Sequence, residues 1–184
     1  QQEQILNLAE KRVLLLPGSR FSEIEQLLPV FRDAVAQMHK IQKRIRFILV
    51  TLPHLRPFIE EAVKDWPQPP RIVCDEEEKW QVFSEADVAL AASGTVSLEL
   101  ALCCVPMVLA YKMDYFAKRF ILPRLKNWTA ALPNLVFGDP IVPEFFNEFA
   151  RADVLAHHIL HLLKNSSARR VQFLGFFAMS KMMA

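Results

Sequence analysis

The chain has 184 residues, of which 52% are hydrophobic and 23% are charged, a composition typical of a globular domain and not of a disordered or fibrous protein. Its formal net charge of +2 is too small to predict nucleic-acid binding in the absence of a clustered basic stripe. Every uncharged apolar stretch is shorter than the about 18 residues that a membrane-spanning helix needs. We therefore expect neither nucleic-acid binding nor a membrane span.

The three cysteines, Cys74, Cys103 and Cys104, have neither zinc-ligand spacing nor the even count of a disulfide framework. We expect them to be reduced and buried in a protein of the cytoplasm. Residues 1–11 begin without Met and without the layout of a signal peptide, and are interpreted as a linker from a preceding half of a longer chain. Residues 12–164 are predicted to form one domain, and residues 165–184 a helical tail.

Short β-branched or leucine-rich runs alternate with longer segments of helical period. The predicted strands are Val13–Leu16, Phe47–Thr51, Arg71–Cys74, Asp87–Ala91, Pro106–Ala110 and Asn134–Phe137. The predicted helices are one opened by a capping box at Ser22 and Glu25, then Leu55–Lys64, Glu77–Glu85, Thr95–Cys103, Tyr115–Leu122 and Ala152–Lys164. Because the strand runs are apolar throughout, they predict a parallel sheet covered on both faces, in a doubly wound, Rossmann-like α/β domain.

The loop after the first predicted strand carries Gly18, Ser19 and Arg20. Glycine allows a ligand to approach the backbone closely, the following helix start offers unpaired amides, and arginine adds a permanent cation with forked donors. The loop is thus a candidate phosphate site. A plain strand-to-helix turn with a solvated arginine is an equal alternative for this short motif alone.

A second candidate loop, Ser93, Gly94 and Thr95, follows the strand predicted at Asp87–Ala91. Small hydroxyl residues around a glycine at a helix start can donate hydrogen bonds to a diphosphate. Glu99 lies four residues, or one helical turn, beyond Thr95 and is a candidate for binding ribose hydroxyls. The alternative is that Thr95 is an ordinary N-cap and Glu99 an acid that compensates the helix dipole.

The segment from Tyr111 to Trp128 mixes five basic residues with aromatic residues. This pattern is typical of contact with an anionic membrane surface or an acylated phosphate substrate, and equally of a covering helix with solvated cations. No Asp-x-Asp pair follows a strand, and no acid is spaced to complete a metal site with His157 and His161. We therefore expect neither a metal nor another cofactor.

The ordered set of motifs resembles the carboxy-terminal half of the lipid A disaccharide synthase family. The motifs are Leu16–Arg20 with Glu23 and Ile24, Leu27–Pro29, Ala86–Asp87, Ala92–Thr95 with Ser97–Glu99, Pro106–Val108 with Tyr111 and Lys112, Leu132–Asn134, and Val142–Glu144. Each motif alone is weak evidence for the family, but the full set in this order is specific to it.

The resemblance implies one half of a GT-B glycosyltransferase that transfers 2,3-diacylglucosamine from its UDP donor to 2,3-diacylglucosamine 1-phosphate, with inversion and release of UDP. It implies that this half binds the donor through Gly18, Ser19, Arg20, Ser93, Gly94, Thr95, Glu99, Tyr111, Asn134 and Glu144. It further implies catalytic roles for Arg20 and Asn134, with the general base in the other half. The implied partners are the two lipid substrates, the inner-membrane surface and a second subunit of a homodimer.

On this interpretation, the chain alone should bind UDP weakly and turn nothing over. Two alternatives stay open at the level of sequence. One is an enzyme similar to UDP-sugar 2-epimerases, which would use similar phosphate loops. The other is a nucleotide-binding or membrane-docking module without chemistry of its own.

Overall fold

The computed structural model describes residues 10–112 and 128–183, with side chains through residue 181. Within these residues six strands form one parallel sheet in the order β3-β2-β1-β4-β5-β6. The strands are β1 Lys11–Leu16, β2 Ile45–Val50, β3 Arg71–Val73, β4 Val88–Ala92, β5 Met107–Tyr111 and β6 Glu144–Phe146. This is the strand order of a doubly wound Rossmann-like domain, so the predicted fold class is confirmed.

Helices cover both faces of the sheet. They are α1 Phe21–Ile41, α2 Arg56–Val63, α3 Glu76–Glu85, α4 Val96–Leu102, α5 Leu132–Phe137, α6 Ala152–Leu163 and α7 Ser167–Met183, with short 3-10 turns at Pro53–Leu55 and Asn147–Phe149. Alternate residues of β1 enter opposite cores: Val13 and Leu15 pack with α1 and α6, whereas Leu14 and Leu16 pack with α3, α4 and α7. Burial on both faces explains why β1 is leucine-rich throughout.

The strand predicted at Asn134–Phe137 is wrong, because these residues belong to helix α5. Pro133 stands in its first turn, where a missing N–H costs nothing, and Gly138 ends it in the left-handed conformation at φ +88°. The sixth strand is instead Glu144–Phe146, which pairs in parallel with the end of β5. A short apolar run does not by itself separate a strand from a helical turn.

The capping box predicted at Ser22 and Glu25 is also wrong. Helix α1 begins at Phe21, its N-cap is Arg20, and no side chain makes a capping hydrogen bond there. Gly18, at φ +114°, turns the chain soon after β1, so that the helix starts before Ser22 is reached. The acidic residue in the first turn of this helix is Glu23, and its negative charge interacts favourably with the positive end of the helix dipole.

Helix α7 packs through Phe176 and Met179 into the core that it shares with α3 and α4. The buried Gln172 side chain accepts a hydrogen bond from the Met107 backbone N–H at 2.8 Å and donates one to the Met107 carbonyl at 3.0 Å. The predicted tail therefore forms a helix that is hydrogen-bonded to β5. The outer face of α7 exposes apolar side chains, among them Leu174 and Phe177.

The three cysteines are free, as predicted, but they are half-buried and not buried as expected. The helix predicted at Tyr115–Leu122, and most of the basic and aromatic segment from Tyr111 to Trp128, lie outside the described residues. Among the residues that are described, no helix is long and apolar enough to cross a bilayer.

Candidate functional site

The two loops singled out from the sequence lie side by side. Strands β1 and β4 are neighbours, with Leu16 paired with Ala91, so the first loop (Pro17–Arg20) and the second loop (Ser93–Thr95) leave the same edge of the sheet. Sheet order runs outward to β2 and β3 on one side and to β5 and β6 on the other. Ligands of doubly wound sheets bind at this reversal point, outside the carboxyl ends of the strands.

Gly18 is required by the conformation of the first loop. Its φ is +114°, and a Cβ placed there would lie 2.7 Å from Glu23 Oε2 and 3.5 Å from the Ala92 side chain. Any larger residue would be strained at this φ and would displace the Glu23 carboxylate. Gly18 thus brings the first loop into contact with both the end of β4 and the first turn of α1.

Arg20 stands at the start of α1 with 80% of its side chain exposed, and it pairs with Glu23 at 3.7 Å. An exposed ion pair at this distance contributes little, so the guanidinium can turn towards a ligand at low cost. Ser19 beside it is exposed as well. The first loop therefore offers a cation and the amides of a helix N-terminus to an anion.

The second loop is held by two side-chain hydrogen bonds, while Gly94 and Thr95 are exposed to solvent. Ser93 Oγ donates to the Ala130 carbonyl at 3.1 Å, and Ser97 Oγ donates to the Gly94 carbonyl at 2.7 Å. A Cβ on Gly94 would meet no atom within 4 Å. Thr95 occupies the N-cap position of α4, but its hydroxyl makes no capping hydrogen bond, which removes the N-cap explanation for this residue.

Glu99 lies in the first turn of α4 and is about one-third exposed. Its Oε2 is 3.1 Å from Nζ of Lys79, a side chain of α3 that is only 17% exposed. The partner that a half-buried glutamate needs is thus a lysine that the sequence did not single out. The two residues are twenty positions apart, and no spacing rule connects them.

The buried Asn134 and the half-buried Glu144 form a polar cluster beside the second loop. Asn134 is 1% exposed; its Nδ2 donates to the Val142 carbonyl at 2.9 Å, and its Oδ1 accepts from the Val142 N–H at 2.8 Å. Glu144 Oε2 accepts from the Ala130 N–H at 3.1 Å, and Oε1 accepts from Asn134 Nδ2 at 3.3 Å. Thr129, which the sequence also did not single out, donates its hydroxyl to Glu144 Oε1.

Tyr111 connects this cluster to the two loops. Its ring stacks on Phe146 with centroids 4.6 Å apart, and its hydroxyl is hydrogen-bonded with Ser93. Burial raises the pKa of Tyr111 to about 12; the Ser93 bond lowers it, while Glu144 and Glu23 raise it further. Tyr111 is therefore a neutral phenol at physiological pH. Because the Ser93 hydroxyl proton is donated to the Ala130 carbonyl, the phenol would donate to a ligand by exchanging Ser93 for it.

We expect a spectrophotometric titration of the folded chain to show one tyrosine that ionises near pH 12, and the Tyr111→Phe variant to lose that transition. The unfolded phenol ionises at a pKa of about 10, so Tyr111 favours the folded state below that pH, and this contribution is lost as the pH rises from 10 towards 12. A Tyr111 transition near pH 10 in the folded chain would contradict the burial seen here.

A surface groove lies elsewhere, at the start of β2. It has a volume of about 560 Å³ and is lined by Lys43, Arg44, His157, His161 and Lys164, with Ile41, Gln42 and Leu160. These residues surround the carboxyl ends of α1 and α6, where basic side chains compensate the helix dipole. The pKa of the neighbouring His158 is lowered, mainly by its burial and to a smaller extent by the nearby His157 and His161.

Across residues 10–112 and 128–183, no three His, Cys, Asp or Glu side chains converge to hold a metal ion.

Comparison with known proteins supports the family resemblance that the ordered motifs indicate. The sequence model of the lipid-A-disaccharide synthetase family matches residues 1–176. The chain is 41% identical over 168 residues to a lipid-A-disaccharide synthase of Rhodopseudomonas palustris, covering 89% of this chain and 42% of that protein. It is 36% identical over 184 residues to the enzyme of Nitrobacter hamburgensis, covering 100% of this chain and 46% of that protein. The chain thus spans less than half the length of these relatives.

Among solved structures, a putative UDP-N-acetylglucosamine 2-epimerase from Listeria monocytogenes has a TM-score of 0.62 at 17% identity, covering 98% of this chain and 45% of that one. WaaG, a glycosyltransferase involved in lipopolysaccharide biosynthesis, has a TM-score of 0.62 at 13% identity, covering 97% of this chain and 46% of that one. These similarities confirm the fold, one Rossmann-like half of a GT-B architecture. The family match and the identities of about 40% go further: the chain belongs to the lipid-A-disaccharide synthetase family.

Proposed function

We propose that this chain is the half of a lipid-A-disaccharide synthase that binds the nucleotide-sugar donor. The observation that carries the proposal is the adjacency of the first and second loops at the reversal point of the sheet, with the exposed Arg20 beside them. A diphosphate needs positive charge and backbone donors, and both converge at this point. Family membership favours the synthase over an epimerase or a module without chemistry.

In this proposal the first loop supplies Gly18, Ser19 and Arg20 to the phosphates, and the second supplies Ser93, Gly94 and Thr95 from the other side. Departure of UDP builds negative charge on the phosphate oxygens. A preorganised cation and helix amides stabilise that charge in the transition state. Arg20 is therefore the catalytic residue of this half, and no metal is needed to supply the charge.

Glu99 and Tyr111 complete the proposed donor site. The Glu99 carboxylate accepts hydrogen bonds from the ribose hydroxyls, and the neutral Tyr111 phenol donates to the donor. Asn134 is 1% exposed and bound on both amide atoms to Val142, which favours a role in holding Glu144 towards the donor sugar instead of direct contact with the reacting atoms.

The proposed reaction transfers 2,3-diacylglucosamine from UDP to 2,3-diacylglucosamine 1-phosphate and inverts the anomeric centre. A general base in the other half of the enzyme takes the proton of the acceptor hydroxyl. We further propose that the enzyme works at the cytoplasmic surface of the inner membrane, because both of its substrates carry acyl chains. The homodimer implied by the family resemblance is part of the same proposal.

The direct test is an assay of the full-length enzyme that contains this half, with UDP-2,3-diacylglucosamine and the acceptor in mixed micelles. We expect equal amounts of disaccharide phosphate and UDP, and no product from the 184-residue chain alone. Release of UDP with a 2-epimerised sugar, in the absence of acceptor, would contradict the proposed transferase function and favour the epimerase alternative.

A further inference from the structure

Lys79 occupies a position that the helix dipole disfavours. It is the fourth residue of α3 and follows three glutamates. The start of a helix favours negative charge and disfavours a cation, and a side chain that is only 17% exposed loses much of its hydration. The acidic and aromatic neighbours of this ammonium group must therefore compensate for its lost hydration.

The neighbours of Lys79 come from two helices. Nζ lies 3.0 Å from Glu76 Oε1 and 3.1 Å from Glu99 Oε2, and it stands 4.5 Å from the centroid of the Trp80 ring. Glu76 is 72% exposed, so water competes for its ion pair with Lys79. Glu99 is 34% exposed, so its pair with Lys79 is better shielded and joins α3 to α4.

Burial lowers the pKa of Lys79, but the hydrogen bonds to Glu76 and Glu99 outweigh it, and the pKa is raised overall. The ammonium group is therefore charged at every physiological pH. It binds one oxygen of Glu99. A carboxylate can accept about four hydrogen bonds, so this single contact orients Glu99 without saturating it.

We infer that Lys79 is a positioning residue for nucleotide recognition, which orients the Glu99 carboxylate so that it accepts hydrogen bonds from the ribose hydroxyls of the donor. Both residues lie in the first turns of helices that begin at the carboxyl edge of the sheet, where the ligand binds. The inference rests on the proposed donor site. It adds that a residue on α3, outside both loops, sets the preference for a nucleotide with intact ribose hydroxyls.

The test compares the binding of UDP and of 2′,3′-dideoxy-UDP to the 184-residue chain by calorimetry. In the Lys79→Met variant we expect UDP to bind about tenfold more weakly, the effect of one impaired charged hydrogen bond, and dideoxy-UDP to bind as it does to the parent chain. Lys79→Arg keeps the cation and should restore the preference for UDP. Glu99→Gln should lose the same preference, and adding Lys79→Met to it should cause no further loss.

Lys64→Met is the matched control, since Lys64 also pairs with a glutamate on its own helix but lies at the far end of α2. It should leave both affinities unchanged. Circular dichroism verifies the folding of each variant, and Lys79→Gln replaces the methionine variant if that one is unfolded.

Equal weakening of UDP and dideoxy-UDP by Lys79→Met would mean that Lys79 acts on the diphosphate, which overturns the inference. So would an unchanged preference. If the parent chain binds UDP while Lys79→Met keeps its preference, this inference alone fails; if the parent chain does not bind UDP, the proposed donor site fails and the inference falls with it.

Discussion

Arg20→Ala is expected to weaken the binding of UDP to this chain by about 10- to 100-fold, because hydrogen bonds to charged groups contribute about 1.5–3 kcal/mol each. Arg20 is 80% exposed at the start of α1 and forms a 3.7 Å ion pair with Glu23, so its loss should not destabilise the fold. In the full-length enzyme the same change should lower kcat more than it raises KM, since negative charge on UDP grows in the transition state. Calorimetry at low salt and steady-state kinetics measure the two effects.

The matched control is Arg32→Ala. Arg32 also lies on α1, is half-exposed and pairs with Asp33, but it is more than three turns from the first loop. Its removal should leave UDP binding unchanged. Equal affinities of the parent and the Arg20→Ala chains would show that the first loop does not bind the phosphates.

Asn134→Leu is expected to lower the free energy of unfolding by about 3 kcal/mol, because it leaves the buried N–H and carbonyl of Val142 without their partners and each such group costs about 1–3 kcal/mol. The side chain is 1% exposed and makes both of these bonds at 2.8 and 2.9 Å. Urea unfolding monitored by circular dichroism gives the measurement. Val136→Ala, an exposed change on the same helix, should alter stability by no more than about 0.5 kcal/mol.

This prediction also separates two roles for Asn134. A folded Asn134→Leu variant of parent-like stability, but with lost activity in the full-length enzyme, would assign Asn134 to direct contact with the donor. Loss of stability in proportion to loss of activity would assign it to holding Glu144 in place.

The central strands could be predicted from sequence because burial on both faces leaves little choice of residue. β1 and β4 are buried along most of their length, and their apolar runs are visible without a structure. α5 was predicted as a strand because the short run Asn134–Phe137 is mostly apolar and fits a strand as well as a helix. The residues that indicate a helix lie on either side of this run: Pro133 in the first turn and Gly138 at the end. β6 was missed because it has three residues, none of them fully buried.

The two loops of the candidate site could be predicted because each directly follows a strand, and the edge of a parallel sheet brings such loops together. Lys79 and Thr129 could not. Their partners, Glu99 and Glu144, lie 20 and 15 positions further along the chain, and contacts of this kind depend on how helices and loops pack. Sequence thus located the proposed phosphate contacts but not the residues that hold the carboxylates.

The most direct test of the donor-binding role is a UDP titration of the 184-residue chain followed by amide chemical shifts in a nitrogen-15 NMR spectrum. The proposal predicts that the largest shifts fall on the amides of Gly18–Arg20 in the first loop and of Ser93–Thr95 in the second loop, with smaller ones at Glu99. Shifts confined to the basic groove around Lys43 and His161, or no shifts at millimolar UDP, would contradict it.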